Sequence, residues 1–126
     1  MAFNIDLKKQ FFESVLSGDK HVTIRPKKRN IPVGPAQINE SNGLRDSLRV
    51  NITDVEYTTF AAITDEMAKA EGMESADQVR QVIQDIYANL PEDKGRIEQI
   101  PDDFPVTVAY WDPASVQEIP GLRPNA

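Results

Sequence analysis

The sequence has no cysteine, one histidine and one tryptophan in 126 residues. The missing cysteine removes disulfides, thiolate nucleophiles and Cys-containing zinc sites together. A single imidazole leaves little with which to hold a transition metal, so neither a metal nor another cofactor is expected. No apolar run is long enough to span a bilayer. The stretch Met1-Ala2-Phe3-Asn4-Ile5-Asp6 lacks the basic and apolar segments of a secretory leader, so a cytoplasmic protein with no membrane partner is expected. Phosphate-cradling and nucleophile-elbow glycine motifs are absent as well. Basic charge is in deficit: 14 Lys and Arg face 20 Asp and Glu, a net charge of -6. That balance argues against a protein that grips nucleic acid with its whole surface.

What is present fits one domain with one main core. Phe3-Asn4-Ile5 suggests a short strand, and Leu7, Phe11, Phe12, Val15 and Leu16 recur at helical spacing up to a stop at Gly18. Val22 and Ile24 then alternate with His21, Thr23 and Arg25, which makes a short strand with one apolar and one polar face. Residues 26–45 carry Pro32, Gly34, Pro35, Asn39, Asn42 and Gly43 with little periodicity, and suggest a long basic loop, either a lid or a mobile insertion. Leu48, Val50 and Ile52 alternate in one parity and Val55, Tyr57 and Thr59 in the other, so a bulge is expected near Thr53-Asp54. Thr64 and Ser75 cap two helices, the first stopped by Gly72 and the second carrying Val79, Val82, Ile83, Ile86, Tyr87 and Leu90 on one face. Val106, Val108 and Tyr110 mark a last strand. Beyond residue 112 the composition suggests a flexible tail, 113–126, after a domain of residues 1–112. The order suits an α+β fold with a small mixed barrel better than a doubly wound sheet.

Lys20, Arg25, Lys27, Lys28 and Arg29 fall together with no acid among them. A solvated face is the common reason for such a run; an anion-steering rim is the other reading. Asp65-Glu66 and Asp102-Asp103 are ordinary for a helix start and a loop. His21 has no marked serine partner for a triad. Lysine with threonine is left: a hydroxyl needs a base to become a nucleophile, and a lysine with a lowered pKa serves. Lys20 and Thr23 are three apart and would face opposite ways in one strand. They converge only if Lys20 lies in the turn that Gly18 starts.

The run Gly18-x-Lys20-x-x-Thr23-Ile24-Arg25 after an amphipathic helix resembles the signature of the ASCH domain, a PUA-like β-barrel. Asp46-Ser47-Leu48-Arg49-Val50 resembles that family's strand entry, with Arg45 where a glycine is usual. Glu66 to Gly72, Tyr87 and Val106 to Trp111 resemble its later elements. The resemblance implies a small mixed PUA-like barrel with flanking helices. It also implies, from compact bacterial members that deacetylate N4-acetylcytidine, a metal-independent amidohydrolase. On the matching positions Lys20 is the base, Thr23 the nucleophile and Glu71 a proton-donating or orienting carboxylate. His21, Arg25, Lys27, Lys28 and Arg29 are the candidate substrate-binding residues. Other members imply the alternative, an RNA-binding or RNA-cleaving module, so the expected partner is a nucleoside or RNA.

Overall fold

A computed structural model describes residues 3–122. Its centre is a mixed sheet with the strand path β1 (Phe3–Leu7), β3 (Gly34–Glu40), β4 (Leu48–Thr59), β5 (Pro105–Trp111) and β2 (Val22–Pro26). β1 runs parallel to β3, and the other pairs are antiparallel. β4 is long enough to change partners, pairing with β3 through residues 48–52 and with β5 through residues 52–59. Its register shifts between Ile52 and Asp54, which is the expected bulge. The extra residue bends the strand and lets the sheet curl. The two ends of the path, β1 and β2, are brought near enough for Arg25 Nη2 to donate to Asp6 O at 3.2 Å. The result is a half-barrel with an open seam between β1 and β2.

Both surfaces of the sheet are buried. Helix α1 (Lys9–Ser17) sets Phe12 and Val15 against Ile38, Leu48, Val50, Ile52 and Trp111. Helices α2 (Asp65–Ala70) and α3 (Ala76–Ala88) enclose a second cluster in which Val79, Ile83 and Tyr87 meet Val22, Val106 and Val108. Thr64 Oγ1 accepts from Met67 N–H at 3.1 Å, and Ser75 Oγ from Gln78 N–H at 3.2 Å, so both expected caps form.

Two expectations are corrected. Residues 26–45 are not one loop, because β3 lies within them between β1 and β4. The reason it escaped the pattern is that Asn39 and Glu40 are as buried as its apolar residues. Asn39 is satisfied there: Nδ2 donates to Asn4 Oδ1 and Asp6 Oδ1, and Oδ1 accepts from Ser47 Oγ. Pro35 is tolerated because β1 pairs only from Ala36 onward. The tail is likewise docked in its described part. β6 (Gln117–Glu118) pairs with β4, and Leu122 O accepts from Ser47 N–H at 2.6 Å. Residues 1–2 and 123–126 of the expected domain and tail lie outside the described residues. Among the described residues no helix is long and apolar enough to cross a membrane.

Candidate active site

Gly18 ends α1 in the left-handed region at φ 86°, and the chain turns back toward α2. Two backbone bonds clamp that turn: Lys20 N–H donates to Ser14 O at 3.0 Å, and His21 N–H to Ala70 O at 2.8 Å. Lys20 therefore precedes β2 and is not part of its ladder. Its side chain is 0% exposed and runs inward. Nζ donates to Glu71 Oε1 at 2.8 Å, to Val22 O at 2.6 Å and to Glu71 O at 3.3 Å. The rings of Phe11 and Trp111 lie 5.6 and 5.9 Å from it.

Glu71 caps the C-terminus of α2, and Gly72 turns the chain away at φ 91°. Its second carboxylate oxygen, Oε2, accepts from the Ile24 N–H at 2.8 Å. One carboxylate thus binds the ammonium with one oxygen and the free edge of β2 with the other. Burial pushes the Glu71 carboxyl above its ordinary range, against the pull of Lys20, the Ile24 amide and Arg25. Burial pushes the Lys20 ammonium below its ordinary range, against Glu71, and the Arg25 cation adds to the lowering. Both shifts bring the neutral amine–acid form of the pair nearer.

Thr23, 1% exposed, follows the carbonyl that Nζ binds. Its Oγ1 accepts from Arg25 Nε at 3.0 Å, which leaves the hydroxyl proton free to be given away. Thr23 and Arg25 line a cleft of about 270 Å³ whose other walls include Phe11, Glu71, Met73 and Tyr87. They also line a second cleft of about 200 Å³ with Asn4, Asp6, Arg29 and Ile31. Both clefts open on the seam between β1 and β2, and Arg25 is the wall between them. This arrangement joins a hydroxyl, a guanidinium bonded to it and a buried ion pair bonded to the preceding carbonyl.

The other expected binding residues are dispersed. His21 lines neither cleft, and its Nδ1 is enclosed with no hydrogen-bond partner among the described residues. Lys27 leans over Tyr87 at 6.0 Å and Lys28 over Tyr57 at 5.3 Å. Only Arg25 and Arg29 of the basic run reach a cleft wall. Asp6 stands at the lip of both clefts without having been singled out; a lone acid ending a short strand carries no sequence signal. Among the described residues no group of three or more His, Asp or Glu is placed to hold a metal ion.

No family model matches the sequence, and no curated protein matches it. Among solved structures, the chain is similar to an ASCH domain from Lactobacillus crispatus JV V101. The TM-score is 0.66 at 11% identity, covering 88% of this chain and 79% of that one. It is also similar to a DUF984 protein from Enterococcus faecalis V583, with a TM-score of 0.61 at 16% identity, covering 82% of this chain and 66% of that one. The curled mixed sheet and its helices are therefore those of a small α+β domain with the ASCH fold.

Proposed function

We propose that this chain is an amidohydrolase of N-acylated nucleosides, with N4-acetylcytidine as the type substrate. The observation that carries the reading is the buried Lys20–Glu71 pair, bonded to the carbonyl next to Thr23 on a cleft wall. A lysine and a glutamate in so dry a place can exchange a proton across 2.8 Å and leave an amine. Nζ bonds the Val22 carbonyl beside Thr23, and a shift of the lysine side chain toward Oγ1 on substrate binding lets the amine take the hydroxyl proton as Oγ1 attacks the acyl carbon. Arg25, already on Oγ1, opposes the negative charge that develops. The C–N bond breaks as the departing amine takes the proton from Lys20, and the acyl group is left as an ester on Thr23. Water, deprotonated by the same amine, then attacks the ester carbonyl; the bond between the acyl carbon and Oγ1 breaks, Oγ1 takes the proton back from Lys20, and the carboxylic acid is released. The cleft of about 270 Å³ suits a group of nucleoside size.

A second reading, an RNA-binding or RNA-cleaving module, has the basic turn Lys27–Arg29 and the half-exposed Tyr57 in its favour. Incubation with N4-acetylcytidine and a chelator, with cytidine release followed by chromatography, separates the two. Turnover by the wild type and its loss in Thr23→Ala are expected. No turnover by the wild type, or undiminished turnover by Thr23→Ala, overturns the hydrolase.

A further inference from the structure

The second cleft holds a residue that amide hydrolysis does not use. Arg29 is exposed, yet it is fastened at three points. Its N–H donates to Thr107 Oγ1 at 2.8 Å, its carbonyl accepts from Tyr57 O–H at 3.0 Å, and its Nε donates to Pro26 O at 2.8 Å. Thr107, fully buried on β5, also donates to Lys27 O at 2.8 Å, where the chain takes φ 72°. The turn after β2 is therefore pinned to the sheet. Surface arginines ordinarily lose rotamer entropy when they bind an anion. In Arg29 the backbone and Nε bonds have already restricted it, and its two terminal amino groups have no partner among the described residues.

Burial holds the Arg25 guanidinium below its ordinary range against the pull of Glu71, and the neighbouring Arg29 cation adds to the lowering. Among the described residues neither forms an ion pair with a carboxylate; Arg49 on β4 does not either, whereas Arg45, Arg80 and Arg96 do. Asp6 is the opposing charge at this cleft, and its Oδ1 is occupied by Asn39 Nδ2 at 3.1 Å. Two adjacent cations face Asp6 on the cleft wall, and Glu71, the stronger opposing charge on Arg25, is ion-paired to Lys20, which leaves a local positive balance in a molecule of net charge -6. A site of that kind favours an anion from outside.

We infer that the cleft of about 200 Å³ is a phosphate subsite, in which Arg29 and the outer side of Arg25 hold a phosphate borne by the substrate whose acylated base occupies the neighbouring cleft. The substrate class is then a phosphorylated N-acylnucleoside, either a free 5′-nucleotide or a residue in RNA. The assignment of the base to the neighbouring cleft rests on the hydrolase reading; the anion site stands on Arg29.

Calorimetric titration with cytidine, cytidine 5′-monophosphate and a short cytidine-containing oligoribonucleotide tests this without turnover. The monophosphate is expected to bind about tenfold or more tightly than cytidine at low salt. Arg29→Ala should abolish that preference, with Arg29→Lys in between. An oligonucleotide that binds more tightly than the monophosphate identifies RNA as the source of the phosphate; one that does not identifies the free nucleotide. Equal affinities for cytidine and its monophosphate, or a preference that survives Arg29→Ala, overturn the subsite, as does failure of both to bind. If N4-acetylcytidine is still hydrolysed in any of those cases, the hydrolase stands and only the subsite falls. If the Arg29-dependent preference holds without hydrolysis, the reverse is true.

Discussion

Lys20 and Glu71 neutralise each other's charge where both side chains are buried. Lys20→Met leaves the Glu71 carboxylate enclosed without its cation, which costs about 3–5 kcal/mol. The double variant Lys20→Met, Glu71→Gln keeps an oxygen for the Ile24 amide and buries no charge. Urea denaturation is expected to show the single variant strongly destabilised and the double variant largely restored, while both lose hydrolysis. A single variant as stable as the wild type would mean that Glu71 escapes to solvent, and the pair would not be the buried unit described. The same residues set a pH dependence. On the proposed mechanism Lys20 works as a base when unprotonated, so kcat/KM is expected to rise with pH through the Lys20 pKa, at a pH below the ordinary lysine range because burial lowers it. Arg25 contributes to that lowering. Arg25→Gln removes the neighbouring cation, raises the Lys20 pKa and moves the ascending limb to higher pH. A limb left in place would show that another group is the base.

At the scale of elements, the site depends on where two helices stop. Gly18 and Gly72, at φ 86° and 91°, end α1 and α2 so that residues 20 and 71 emerge facing one another. A Cβ at Gly72 would meet Lys20 Cβ and Ser14 Cβ at 3.7 Å, which is ordinary contact. The cost of Gly72→Ala is therefore the backbone conformation alone, about 1–2 kcal/mol. Thermal unfolding should show a fall in Tm of several degrees. An unchanged Tm would mean that the left-handed turn is not needed there. β2 plays the opposite part, since its free edge gives the Ile24 amide to Glu71 where a neighbouring strand would have taken it. The free edge of β2 thus completes the carboxylate's hydrogen bonds.

Over the whole molecule, the sheet separates two apolar clusters, and α1 alone among the three helices covers one of them. Phe12, fully buried at the centre of that cover, has no substitute from another helix. Phe12→Ala should cost about 3–5 kcal/mol, read from the denaturation midpoint of the single buried tryptophan's fluorescence. A loss below about 1 kcal/mol would show that α1 is not integral to the fold. Charge is partitioned as well. A chain of net charge -6 places Arg25 and Arg29, neither of them ion-paired among the described residues, together on one cleft wall.

Periodicity and punctuation in the sequence were enough for β1, β2, the bulged β4, the capped α2 and α3, and β5, because each is specified by apolar spacing or by a residue with a local backbone preference. The turn that frees Lys20 from the strand was legible in Gly18 for the same reason. β3 was not, because it buries two polar residues, Asn39 and Glu40, the first made tolerable by Asn4 and Asp6 on β1, and β6 has only two residues. The pairing of Lys20 with Glu71, 51 positions apart, entered the sequence reading only through resemblance. Spacing cannot encode which distant groups share a dry cavity. That was decided by the closure of α2 onto the β2 edge, as was the separation of Arg25 and Arg29, at the seam, from His21, Lys27 and Lys28, which the fold turns elsewhere.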